Sequence, residues 1–104
     1  MARYDVYAHP DMALRKTTPY LLDVQNNYID AVATRVMVPM RDRRMVDKLL
    51  RDLNPIFEIE GNSVLLDTTA IGAFPASQLK KPVARLASQA SVITSALDTL
   101  FGGY

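Results

Sequence analysis

The sequence predicts a mainly β domain closed by one C-terminal helix. Three observations carry this prediction. Apolar and polar residues alternate in short runs, Glu60-Gly61-Asn62 separates two such runs, and an apolar stripe at helical spacing follows Pro82. The chain has 104 residues, so residues 1–104 are expected to form a single domain with no second core. Its 49% hydrophobic and 22% charged residues are typical of folded globular chains and exclude intrinsic disorder.

Arg3 to Ala8 alternates, with Tyr4, Val6 and Ala8 on one side and Arg3, Asp5 and Tyr7 on the other, as in a half-buried strand. His9 to Pro19 holds two prolines and the bases Arg15 and Lys16, a composition suited to a surface loop. Tyr20 to Gln25 reads as a second strand. Asn26, Asn27 and Asp30 then bracket Tyr28 and Ile29, placing two apolar residues in a turn that has no need of them. A third strand is expected from about Thr34 to Pro39, where the proline should end it.

Over Arg41–Asp52 and on to Leu53, Met45, Val46, Leu49, Leu50 and Leu53 recur at helical spacing, which predicts a short amphipathic helix. Ile56-Phe57-Glu58-Ile59 and Val64-Leu65-Leu66 form a hairpin, with Gly61 and Asn62 suited to the positive φ of its turn. Ala70 to Phe74 adds a short strand closed by Pro75, and Ala76 to Lys81 a loop. Pro82 then opens a helix whose stripe is Val83, Leu86, Ala90, Ile93, Leu97 and Leu100, stopped after Phe101 by Gly102 and Gly103. About 20 helical residues span ~30 Å, against a radius of gyration near ~13 Å for a chain of this size. Such a helix would cross the domain and bring Phe101 to Tyr104 to the surface.

Twelve Lys and Arg oppose eleven Asp and Glu, so no net field draws the chain to nucleic acid or to an anionic membrane. The absence of cysteine excludes disulfides and thiolate chemistry, and a cytoplasmic location is the simplest expectation. Met1 to Pro10 lacks the apolar run of a signal peptide, and no segment approaches a membrane span.

Catalysis finds little support. His9 is the only histidine and is expected to be an exposed loop residue, while Asp23, Asp30, Glu58 and Glu60 lack metal-ligand clustering. The four glycines are too dispersed to cradle phosphate, and Asp42 and Asp47 interrupt the bases Arg41, Arg43 and Arg44. No catalytic residue, metal site or cofactor is therefore assigned. Arg15 and Lys16 leave one enzymatic alternative, stabilisation of a phosphorane in RNA cleavage. What stands out is a set of apolar groups at the surface, Tyr28 and Ile29 in one turn and Phe101 with Tyr104 at the end of the chain. Interfaces use such groups as anchors.

Several segments in order resemble the CcdB family of bacterial toxins. They are Tyr4-Asp5-Val6-Tyr7, Leu22-Asp23-Val24-Gln25, Tyr28-Ile29-Asp30, Arg35-Val36-Met37-Val38-Pro39 and Leu53-Asn54-Pro55. The Glu58 to Leu66 hairpin and the ending Ala96 to Tyr104 complete the set. The resemblance implies an SH3-like, partly open antiparallel barrel of the CcdB, MazF and Kid type with a C-terminal helix beside it. It also implies an irregular or short-stranded region, rather than a helix, over Arg41–Asp52.

By the same resemblance the protein would be a homodimeric toxin of a toxin-antitoxin module involved in plasmid maintenance. It would bind the A subunit of DNA gyrase, trap gyrase on cleaved DNA and be neutralised by a CcdA-like antitoxin. Carried over by position, the gyrase-binding surface comprises Tyr28, Ile29, Asp30, Asp98, Phe101, Gly102, Gly103 and Tyr104. The family pattern differs at three of these, with tryptophan at the place of Gly102 and isoleucine at the places of Tyr28 and Tyr104. A toxin that no longer poisons gyrase and a MazF- or Kid-like endoribonuclease are the alternatives.

Overall fold

Residues 1–29 and 31–102 are described in a computed structural model of the chain. They form seven strands: β1 (Asp5–Ala8), β2 (Tyr20–Asp23), β3 (Thr34–Asp42), β4 (Ile56–Ile59), β5 (Asn62–Leu66), β6 (Gly72–Pro75) and β7 (Ala84–Arg85). One α-helix, α1 (Ala90–Phe101), follows. All strand pairs are antiparallel, in the order β4-β5-β3-β2-β1-β7, with β6 also paired to β3. The sheet curls into a nearly closed barrel consistent with the SH3-like class, with the helix at its end.

The central strands are buried on both faces, which corrects the half-buried reading of the first strand. Val6, Leu22, Val38, Tyr20 and Met40 face a core that Phe57, Ile59, Val64, Leu66, Leu86, Ile93 and Ala96 complete. Tyr7, Leu21 and Met37 face the opposite way, into a smaller cluster closed by Phe74 and Leu79. Pairing of β6 with the first half of β3 folds residues 72–79 over what would otherwise be the solvent face.

β1 begins at Asp5 rather than Arg3 because Tyr4 adopts φ 75°, within a turn in which the Asp5 amide donates to Ala2 O at 3.1 Å. β3 runs through Pro39 instead of stopping there. Pro39 O accepts from the Asp67 amide at 2.8 Å, and a strand residue presents its N and O to the same side. The missing N–H thus faces Asp67, just past β5, beside the point where the neighbour of β3 changes from β6, paired at 34–37, to β5, paired at 40–42, and it points away from β2. The β2–β3 ladder is therefore intact, and the one bond forgone is the reciprocal bond to Asp67 at the end of the β3–β5 pairing.

Two helical expectations are corrected. Arg41 and Asp42 belong to β3, where they pair with Leu65 and Val64, and only a 3-10 turn, Arg43–Met45, follows. The segment beyond it is irregular. It is tied down by Asn54, whose side chain accepts from the Leu50 amide at 2.9 Å and donates to Leu66 O at 3.0 Å. Met45 and Leu50 are left about half exposed, so the apolar spacing there serves no helical face.

The terminal helix has 12 residues, about 18 Å at the α-helical rise, and does not cross the domain. Its expected first part is spent on the sheet edge. The Val83 amide donates to Val6 O at 2.8 Å and the Leu86 amide to Tyr4 O at 2.9 Å, because the free edge of β1 offers carbonyls that need donors. A 3-10 turn at Ala87–Gln89 then leads into α1, which buries Ile93 and Ala96. The predicted hairpin is present with a two-residue loop. Glu60 and Gly61, at φ 52° and 80°, take the left-handed positions, and Asn62 already pairs with Ile59.

Candidate functional site

The turn after β2 is built by its asparagines. Asn26 O accepts from the Ile29 amide at 3.0 Å and Asn26 Oδ1 from the Tyr28 amide at 2.9 Å, an Asx turn that leaves both following side chains outside. Tyr28 is 95% exposed and Ile29 51%. Asn27 Oδ1 accepts from the Arg3 amide at 2.8 Å, fixing the turn to the start of the chain.

Beneath the turn lies a buried polar network on the second face of the sheet. Asp23 accepts from Arg35 Nε and Nη2, each at 2.9 Å, and from the Gln25 amide at 3.0 Å. Arg35 Nη1 donates to Ile29 O at 3.3 Å, and Gln25 Nε2 donates to the same carbonyl. Gln25 Oε1 accepts from the Val36 amide at 2.9 Å. Burial pushes the Asp23 carboxyl up, opposed by the Gln25 amide and the Arg35 guanidinium. Burial, with the Asp5 and Asp23 carboxylates, pushes the Tyr7 phenol up as well.

The second exposed group closes α1. Gly102 takes φ 70° and its amide donates to Asp98 O, a left-handed cap that needs no Cβ. Asp98 points outward on this last turn, and Phe101 is 71% exposed. The structure thus assembles Tyr28 with Ile29, and Asp98 with Phe101 and Gly102. The two groups are linked through Arg3 and Tyr4. The Arg3 guanidinium sits 5.0 Å from the centroid of the Tyr4 ring, and Tyr4 Oη lies 3.5 Å from Thr94 Oγ1 on α1. Asp30, Gly103 and Tyr104 lie outside the described residues.

His9 is buried, not the exposed loop residue expected, and its ring packs edge-on against Phe74 at 6.2 Å between centroids. Its Nδ1 accepts from the Asp11 amide at 3.0 Å. Burial pushes the imidazole below its usual range, and Arg15 adds to this against Asp11. The structure does bring Arg15 to His9, but Arg15 Nε donates to the His9 backbone carbonyl at 2.6 Å rather than meeting the ring. An open cleft of about 550 Å³ beside them is lined by His9, Pro10, Asp11, Leu14, Phe74 and Gln78. Among the described residues no group of three His, Asp or Glu could hold a metal ion.

Sequence reasoning missed the exposed Val32 and Val36, which extend the apolar surface near the turn, and the polar residues beneath it. The signal for the latter is positional. Asp23 lies opposite Met37, so Arg35, two residues along β3, is its diagonal neighbour on the same face.

One family model matches nearly the whole chain. The family model described as CcdB protein covers residues 3–103 of the 104, and the chain belongs to the CcdB family.

Proposed function

We propose that this protein is the toxin of a toxin-antitoxin pair and that it acts by binding DNA gyrase rather than by chemistry of its own. Membership of the CcdB family supports a toxin of this kind. The observation that carries the gyrase reading is the exposure of Tyr28, Ile29 and Phe101, large apolar groups held out on an Asx turn and a capped helix end. Groups left in water at such positions add little to folding, and buried in an interface they become anchors.

Asp30, Asp98 and the glycines up to Tyr104 complete the proposed surface. Paired about a two-fold axis, two copies present it twice, matching a two-fold partner such as paired gyrase A subunits. To act as a poison the protein must favour gyrase holding cleaved DNA over resting gyrase, since equal affinity for both shifts nothing. A CcdA-like antitoxin that folds on binding would hold it in check. The reading places the toxin in the cytoplasm with its target. Among the described residues no helix is long and apolar enough to cross a membrane.

The test is binding to the isolated A subunit by calorimetry. Tyr28→Ala and Phe101→Ala should each weaken binding about tenfold or more, the effect of truncating an anchor. Unchanged affinity in both would move the contact elsewhere. One observation favours a second reading, a toxin with its gyrase surface lost. Gly102 caps the helix at φ 70°, where the family pattern places tryptophan. Normal growth of cells overproducing soluble, folded protein without antitoxin would support that reading.

A further inference from the structure

The network under the turn has a feature that strand pairing does not require. Asp23 and Arg35 form a buried two-pronged pair, with side chains 0% and 4% exposed. The pair is complete without the third guanidinium nitrogen. That nitrogen, Nη1, reaches out of the sheet to Ile29 O, and Gln25 Nε2 reaches the same carbonyl from the end of β2. Two donors, one on β3 and one just beyond β2, therefore converge on one backbone oxygen of an exposed turn. Tyr28, 95% exposed, supplies the turn with almost no packing of its own.

We infer that Gln25 and Arg35 are positioning residues that hold the Tyr28–Ile29 turn in one conformation for its partner, with Asp23 orienting the Arg35 guanidinium. The inference rests on the proposed role of that turn as a gyrase contact. A loop already ordered before binding loses less conformational freedom on binding than a loose one, so affinity depends on donors that never touch the partner. Arg35 suits this task because its planar fork engages a carboxylate with two nitrogens and leaves another to donate. Lysine, a single point charge, cannot span both partners in the same way.

The experiment uses the full chain carrying Gln25→Met, which keeps the side-chain length and removes both Gln25 side-chain hydrogen bonds, and in parallel Arg35→Lys, which keeps the charge. Amide hydrogen exchange is followed at Tyr28 and Ile29, whose amides are bonded within the turn. Leu66 and Asp67, whose amides donate to Pro55 O and Pro39 O, serve as the reference. Affinity for the gyrase A subunit is measured alongside, with Tyr28→Ala as the control that loses affinity without loosening the Ile29 amide.

Exchange at Tyr28 and Ile29 about tenfold faster, with Leu66 and Asp67 unchanged and affinity reduced about tenfold, is the expected result. Equal acceleration at all four amides, or failure of both variants to fold, assigns the network to sheet stability and overturns the inference. Unchanged affinity with a loosened turn overturns it too. A native protein that does not bind gyrase while its variants still loosen the turn overturns the gyrase reading alone and leaves the ordering role of Gln25 and Arg35 supported.

Discussion

At the scale of single residues, His9 and Asp42 make pH predictions of the same sign in different windows, since both pKa values are depressed in the folded protein. His9 is favoured neutral in the folded protein because burial depresses its pKa. As pH falls below about 6.5 the unfolded chain takes up the proton first, so the folded state loses stability until the pH passes the folded pKa. In His9→Asn, which keeps an acceptor for the Asp11 amide, this part of the acid destabilisation should vanish from urea midpoints measured against pH. Asp42 behaves in the same way at lower pH. The Arg44 side chain, bonded at 2.8 and 3.1 Å, holds its carboxyl down to about 2, with help from the Arg44 amide. Its contribution is therefore present above the ordinary carboxylate range and is lost only as pH falls towards 2. Arg44→Ala should return the Asp42 carboxyl part of the way to its usual value, a shift visible by NMR titration. The exposure of Tyr28 and Ile29 was legible in the sequence, because flanking asparagines announce a turn. The burial of His9 was not. Nothing beside it in the chain reveals that Phe74, 65 residues on, will pack against its ring.

At the scale of elements, the β4–β5 hairpin and α1 carry the clearest energetic predictions. Gly61 sits at φ 80° with open space where a Cβ would stand, so Gly61→Ala should cost only backbone strain, about 1–2 kcal/mol. Ile93→Ala removes a fully buried side chain where α1 meets the barrel and should cost about 2–5 kcal/mol. Denaturant unfolding checks both. The hairpin was legible because a two-residue turn and its flanking strands are local. The helix over Arg41–Asp52 failed for the converse reason. Its apolar spacing is local, but Arg41 and Asp42 had partners waiting in Leu65 and Val64, more than twenty residues away. The start of α1 was misplaced likewise, since Val83 and Leu86 fit a helical stripe yet satisfy the free edge of β1. Long-range pairing overrode local periodicity in both cases.

At the scale of the molecule, the sheet encloses two apolar clusters and leaves large apolar side chains in water at the Asx turn and at the end of α1. The order of segments along the chain made the family legible. The two-sided burial of the central strands was not, because it depends on residues 72–79 folding back over the sheet. On the account proposed here the toxin grips its target through those exposed groups and converts no substrate. The most direct measurement is a DNA cleavage assay with purified gyrase, ATP and supercoiled plasmid. The full chain should yield linear DNA covalently held by gyrase. A doubly substituted Tyr28→Ala/Phe101→Ala protein of the same folded stability should yield none. Equal trapping by the two proteins, or no trapping by the native chain, would contradict the account.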